Sequence, residues 1–372
     1  MGEWKECQLG DVLTFQRGFD LPHSKMVEGP YPVMGSNGII GWHNEYTTEA
    51  PSVTIGRSGS VGRPHLLTIP SWSHNTVLFV KDFKGNDPRF LYYFLFTLRL
   101  NEYGGGSAVP TLNRNVLHEL KVCIPDLPTQ RRIAAVLGAL DDKVEVNRKI
   151  CENLEAQAQA LFKAWFVDFE PFGGKRPDGW KEESLSNVAT FLNGLAMQKF
   201  RPTVGESSLP VLKIKELRQG FCDEATEECT TQLDEKYIVH DGDVVFSWSG
   251  SLLVDFWCGG DVGLNQHLFK VTSTRFDKWF YYAWTQHHLA SFIKIAADKA
   301  TTMGHITRDH LDDAKVLIPD QTTLDWLGDV IAPMFDMIVS RRIESRALAA
   351  MRDALLPKLM SGELAVEKVA VK

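Results

Sequence analysis

Trp4-Lys5-Glu6, followed by Val12-x-Thr14-Phe15 and Gly18, returns 176 positions later as Trp180-Lys181-Glu182, Val188-x-Thr190-Phe191 and Gly194. Lys121-Val-x-Ile124-Pro125-Asp126 returns 194 positions later as Lys315-Val-x-Ile318-Pro319-Asp320. Strings recurring in the same order mark an internal duplication, and the growing offset marks insertions in the second copy rather than a different fold. A chain in two copies without an obvious catalytic motif suggests something that reads a two-part target.

Between and after the copies the apolar spacing changes. From Ile133 it runs through Leu137, Leu140, Val144, Asn147, Cys151, Leu154, Ala158, Leu161 and Trp165, in steps of four and three. That is a heptad seam. The same seam follows 194 positions on, through Leu327, Ile331, Met334, Ile338, Arg341, Ser345, Leu348, Arg352, Leu355 and Leu359. Pro128-Thr-Gln and Thr322-Thr323 are the expected helix starts. Paired antiparallel, the helices bring Asn147 opposite Ser345 and Cys151 opposite Arg341, a polar notch that fixes register at some cost in stability. The competing reading is that each helix simply packs on its own globule.

The rest of each copy alternates short β-type runs with Gly, Pro and Asn, as in Ser52–Ile55 and Val77–Val80, and adds one aromatic helix at 88–100. The second copy repeats the order with Asp243–Phe246, Leu268–Val271 and 278–286. The fold class expected is α+β: two α+β domains joined by two long antiparallel coiled-coil helices, with an internal two-fold repeat. The boundaries expected are 1–127 and 171–320 for the domains, 128–170 and 321–362 for the helices, and 363–372 for a tail.

The chain has 372 residues, 44% hydrophobic and 23% charged, which suits two globular domains. Its longest aromatic-apolar run, Phe90–Leu98, is far short of the roughly 20 residues of a membrane span. No secretion signal opens it, and its six scattered cysteines form no CxxC pair, so free thiols in the cytoplasm are expected rather than disulfides or a metal site. Net charge is −7, distributed as −1, −1, −5 and 0 over residues 1–127, 128–170, 171–320 and 321–372. Phosphate neutralisation supplies most non-specific DNA affinity, so this acidity counts against a stand-alone DNA binder but not against a subunit of one.

Three segment pairs in the two copies could read a polymer. Arg57-Ser58-Gly59-Ser60 matches Trp248-Ser249-Gly250-Ser251, each a strand running into a Ser-Gly-Ser turn whose hydroxyls and arginine can contact phosphates or bases. Alone, such a turn is an ordinary hairpin; its recurrence is the signal. Ser73-His74-Asn75-Thr76 matches Asn265-Gln266-His267, where Asn and Gln can bond an adenine edge, or simply cap a strand. Asn113-Arg114 matches His305 to Arg308, with the arginines holding either a phosphate or a surface carboxylate. Lys213 and Lys215 add positive charge to the second set.

Trp180-Lys181 through Gly194, Asp243-Val-Val-Phe-Ser-Trp-Ser-Gly-Ser251, Asn265-Gln266-His267, Ile318-Pro319, Leu161-Phe-Lys-Ala-Trp-Phe-Val-Asp-Phe169 and Leu359-Met-Ser-Gly-Glu-Leu364 together resemble the specificity subunits of type I restriction-modification enzymes. The resemblance spans essentially the whole chain and rests on order and duplication more than on any single motif. It implies two target recognition domains, each reading one half of a bipartite double-stranded DNA site, with the helices setting the unread spacer. It also implies that the helices, through seam positions such as Leu137, Leu140, Val144, Leu154, Leu161, Ile331, Ile338, Leu348 and Leu355, dock two methyltransferase subunits. Those partners use S-adenosylmethionine to methylate adenine, and restriction subunits cleaving with ATP can join them; this chain carries no cofactor of its own. The strongly different loops of the two copies imply an asymmetric target. At Ser73–Thr76 the first copy departs from the Asn-Gln-His of the second, which makes a base contact at Asn75 less secure than one at Asn265.

Catalytic signals are missing. Gly173-Gly174-Lys175-Arg176 lacks the spacing of a phosphate-binding loop, and no Asn-Pro-Pro-aromatic, HExxH or GxSxG motif occurs. Beside the specificity subunit stand two other readings. One is a nuclease with an unrecognised site, for which metal-dependent cleavage by the chain alone would speak. The other is a protein-binding adaptor or regulator on the same scaffold, which would give no sequence-specific footprint.

Overall fold

A computed structural model describes residues 4–105, 110–298 and 304–369; residues 1–3, 106–109, 299–303 and 370–372, the last three of the expected tail among them, lie outside it. Contacts divide the chain into residues 1–143 with 348–372 and residues 144–347. The division falls inside the two long helices, Leu127–Phe166 and Gln321–Met360, so each unit contains part of both.

In the first unit the duplicated strings are partners. Strand Trp4–Gln8 pairs antiparallel with Lys121–Pro125, from Trp4 opposite Pro125 to Gln8 opposite Lys121. A four-stranded sheet follows, ordered Thr14–Arg17, Val77–Asp82, Ser52–Gly56 and Pro64–Leu67, beside a three-stranded one built on Tyr31–Gly35. Helix Pro88–Thr97 is capped by Asp87, which accepts from the Phe90 amide at 2.8 Å. It buries Phe90, Leu91 and Phe94 in a core shared with Ile133 and Leu137 of the central helix and Leu359 of the C-terminal helix. The two helices meet through Arg352 and Asp141, 2.6 Å apart. The tail returns to this core with Val366.

The second unit repeats the plan. Lys181–Ser184 pairs with Lys315–Ile318, and a four-stranded sheet is ordered Thr190–Asn193, Leu268–Thr272, Val244–Ser247 and Leu253–Phe256. Ile55 faces Leu78 as Phe246 faces Phe269, a constant shift of 191. Gly194 and Phe246 are 52 positions apart against 37 for Gly18 and Ile55, so fifteen residues are inserted between them. That stretch holds strands Ser208–Leu212, Glu228–Thr230 and Ile238–Val239 of a further sheet and the helix Ile214–Gln219. The aromatic helix, expected over 278–286, runs on to Asp298.

Within this unit the helices pair antiparallel and also join the globule's core, so the two readings of their packing are not exclusive. Phe162, Trp165 and Phe166 share one cluster with Leu327, Ile331, Phe335 and Ile338 and with the globule's Trp180, Phe280 and Trp284. Asn147, 0% exposed, donates to Glu344 Oε2 at 3.0 Å and to Ser345 Oγ at 3.3 Å. Cys151 sits one turn from the expected place: its thiol faces the Ile338 carbonyl at 3.7 Å rather than Arg341. The Arg341 guanidinium is drawn instead to Glu344, 2.6 Å away. Of the other seam positions, Leu140, Val144, Leu154, Leu161, Leu348 and Leu355 are half-buried, while Leu137, Ile331 and Ile338 are buried.

The helix starts differ from expectation. Asp126 Oδ1 accepts from the Thr129 amide at 2.9 Å and Asp320 Oδ1 from the Thr323 amide at 3.0 Å. The last residue of each repeated Ile-Pro-Asp is therefore the cap, because a carboxylate satisfies an otherwise unpaired first-turn N–H. The hydroxyl and amide of Thr129, and the amide and hydroxyl of Thr323, hold the two carboxyls below their ordinary pKa.

Candidate nucleic-acid interface

In the first unit, strand Ser52–Gly56 delivers Arg57 and Ser58 beside two other candidate segments. The Arg57 and Ser58 amides donate to the Thr76 carbonyl at 2.8 and 3.2 Å, Ser58 bridges Thr111, and the Leu112 amide donates to the Arg57 carbonyl at 2.9 Å. Ser36 ties the turn down, donating to the carbonyls of Ser58 and Thr76 at 2.7 and 2.8 Å. Ser60 is exposed at the tip. Asn75 donates to Asp20, and Asn113 caps the helix Arg114–His118 by accepting from the Asn115 amide.

Burial and the neighbouring Arg17 push the Arg57 guanidinium below its ordinary pKa. Among the described residues neither arginine forms a salt bridge, nor does the exposed Arg114. Arg17 was not singled out in the sequence, although it immediately precedes the repeated Gly18. Gly18 itself is required: a Cβ there would lie 2.0 Å from the His74 carbonyl oxygen.

The second unit assembles the matched segments in the same way. Ser249 bridges His305, the Gly250 amide donates to the Gly304 carbonyl at 2.9 Å, and the Ile306 amide donates to the Trp248 carbonyl at 3.0 Å. Trp248 takes the place of Arg57; its indole N–H donates to Asn193, the counterpart of Arg17, at 3.1 Å. Its ring lies edge-on to His305, with centroids 6.2 Å apart. Ser249, buried, shares a hydrogen bond of 3.1 Å with His267 Nδ1, while Ser251 is exposed. Gly194, like Gly18, admits no Cβ, which would lie 2.3 Å from the Asn265 carbonyl oxygen.

Asn265 is 6% exposed, and its Oδ1 accepts from the His267 amide at 3.2 Å, so its side chain holds the turn while Gln266 and His267 reach the surface. Those two line a cleft of about 470 Å³ with Gln198, Arg201, Lys213, Lys215 and Glu227. Here the cations have partners: Arg201 and Lys213 both meet Glu227, and Lys215 meets Asp223 at 2.8 Å. Arg308 is exposed and forms no salt bridge among the described residues, so no carboxylate claims it. Gln198 and Arg201 were also missed, since nothing in their spacing joins them to Gln266.

Among the described residues no group of His, Cys, Asp and Glu could hold a metal ion, the six cysteines are free, and no helix is long and apolar enough to cross a membrane.

Comparison with known proteins gives a consistent result. A curated relative, the type I restriction enzyme MjaIX specificity subunit of Methanocaldococcus jannaschii, is 28% identical over 302 residues, covering 75% of this chain and 70% of its own length. The type I restriction enzyme HindI specificity subunit of Haemophilus influenzae is 22% identical over 366 residues, covering 74% and 77%. A crystal structure of the type I restriction-modification system S subunit from M. genitalium aligns over 96% of both chains with a TM-score of 0.63 at 15% identity, a likeness of fold. The family model described as the type I restriction modification DNA specificity domain matches twice, at residues 1–156 and 177–341, once on each duplicated copy. The duplication read from the first residues is thus that of a known reader, and the chain belongs to the family of type I restriction-modification DNA specificity subunits.

Proposed function

We propose that each globule reads one half of an asymmetric, two-part site in double-stranded DNA, and that the paired helices set the unread spacer and dock two methyltransferase subunits. In this reading the chain selects the site and performs no chemistry. S-adenosylmethionine binds the methyltransferase subunits and ATP binds restriction subunits where these are present, all in the cytoplasm.

The observation that carries the reading is the convergence of the same three segments in both globules: Arg57–Ser58 with Asn75 and Thr111, and Trp248–Ser249 with Gln266, His267 and His305. Their backbone scaffold is the same, whereas the side chains they offer differ. One globule offers arginines that form no salt bridge among the described residues and suit phosphate or guanine, the other an indole, an amide and imidazoles. A common frame with different contents is what two unlike half-sites require. The names of the relatives, all restriction enzyme specificity subunits, support assembly with other subunits.

The test is methylation mapping of DNA from cells carrying the methyltransferase subunit, with and without this chain. Loss of one gapped, asymmetric adenine-methylated motif on removal is the expected result. An unchanged methylation pattern would refute the proposal.

A further inference from the structure

Free, properly oriented cations bind any DNA sequence, because every sequence presents the same phosphates. A reader gains specificity if its cations are unavailable until bases are also engaged. The second globule has such an arrangement in the longer stretch that carries its fifteen inserted residues. Glu227 Oε2 lies 2.7 Å from Arg201, while Oε1 receives Lys213. The carboxylate is anchored by its backbone, since the Glu227 carbonyl accepts from the Val211 amide at 2.8 Å and the adjoining Glu228 opposes Pro210 across the sheet. Lys213 directly follows the neighbouring strand Ser208–Leu212. Gln198, Gln266 and His267 line the same cleft, so the masked cations adjoin side chains able to bond base edges.

From this geometry we propose that Glu227 is an internal counter-ion that withholds Arg201 and Lys213 from non-cognate DNA, releasing them to phosphates only when base contacts in the cleft offset the lost ion pairs. It is thus a specificity-determining residue that contacts no base. The inference rests on the proposed DNA reading of the second globule. The Lys213 contact, with Arg201 adding to it, keeps the Glu227 carboxyl below its ordinary pKa, so the mask is present throughout the neutral range. Among the described residues Arg17 and Arg57 of the first globule form no salt bridge, so the mask is placed at one half-site only.

The experiment measures binding of the full-length chain, assembled with its methyltransferase subunits, to two duplexes of equal length, one carrying the mapped motif and one scrambled, across a salt series. Glu227→Gln keeps the shape and removes the charge. It is expected to raise scrambled-duplex affinity about fivefold, the order set by two exposed ion pairs, and to steepen the log–log salt slope by up to about 2. The cognate-to-scrambled ratio falls accordingly. Arg201→Ala in the Glu227→Gln background should return the slope by about 1, which a merely structural change would not do. Unchanged affinity and slope in Glu227→Gln, or a loss confined to one base pair of the motif, overturns the masking role. If the wild-type assembly fails to distinguish the two duplexes, the DNA-reading proposal itself falls, an outcome separable from failure of the mask alone.

Discussion

Arg342 offers a sharp test of how the second globule is held to its helices. Its guanidinium, 28% exposed, lies 2.6 Å from Glu155 on the central helix and 2.7 Å from Asp255 on strand Leu253–Phe256, and also donates to the Phe256 carbonyl at 3.3 Å. Replacing Arg342 with Met keeps length and apolar contact but leaves two carboxylates, 33% and 29% exposed, facing each other without a cation. Breaking a buried pair costs about 3–5 kcal/mol; partial solvent access puts the expected loss near the lower end, about 3 kcal/mol. For a unit of this size that lowers the melting temperature by about 6–12 °C. Burial already holds the Glu155 carboxyl above its ordinary pKa, with Arg342 pulling it down and Asp255 pushing it up. A carboxyl raised on folding gives stability that is full below its unfolded pKa and lost as pH rises through the folded one. Without Arg342 that folded pKa climbs further, so the penalty should be largest near pH 7.5 and shrink toward about pH 5 as Glu155 takes a proton. Urea unfolding at both pH values measures it, and Glu155→Gln in the variant should recover at least about 1 kcal/mol at pH 7.5. A penalty under about 1 kcal/mol, or one equal at the two pH values, would refute the argument.

Gly194→Ala forces a Cβ against the carbonyls of Leu264 and Asn265, at 2.4 and 2.3 Å, and should cost about 1–3 kcal/mol while erasing footprint protection at one half-site; a stable variant with an intact footprint would contradict the required close approach. Arg57→Ala should weaken protection at the other half-site alone, and equal weakening at both would remove Arg57 from a half-site reader. Asn147→Leu should leave the urea midpoint unchanged or raise stability by up to about 1 kcal/mol, because Ser345 still donates to the Arg341 carbonyl at 2.8 Å and Glu344 still pairs with Arg341; a loss above about 1 kcal/mol would show that the notch is a net stabiliser.

What was legible in the sequence was what repeats or keeps a period. The strings around Trp4 and Lys121 were legible as duplicates, and they prove to be the two strands that pair to each other, as do those around Lys181 and Lys315. The long helices were legible because a seam of fours and threes admits no other element. The helix starts were expected one residue late because the proline and threonines after Asp126 and Asp320 carry start signals of their own. The sheet around Ser208–Leu212 went unread because its strands are two to five residues long and pair across a long insertion. Arg17, Asn193, Gln198 and Arg201 share no spacing with Arg57, Trp248 or Gln266; only the folded chain makes them neighbours. Asn265 looked like a reader because its amide suits adenine; its side-chain oxygen holds the turn by accepting from the His267 amide, at the edge of the cleft it lines.

The fold also decides where a spacer experiment must cut. An insertion beside Gln130 would not test the helices, because Gln130 is buried, donates to the Pro125 carbonyl at 2.9 Å and to Asn86 at 2.8 Å, and accepts from the Asp87 amide at 3.0 Å. Shifting it would break the first unit's core and confound spacing with unfolding. The suitable places are the joints where the units divide, between Lys143 and Val144 and between Ala347 and Leu348. Seven residues with heptad pattern added at both joints preserve the facing sides of the helices. They lengthen each helix by about 10 Å, close to three base pairs of duplex. If the helices are the ruler, methylation mapping should recover both half-sites unchanged with a spacer longer by about three base pairs. A folded variant that keeps the original spacer would place the ruler elsewhere, and altered half-site sequences would mean that base reading depends on the helices as well as on the globules.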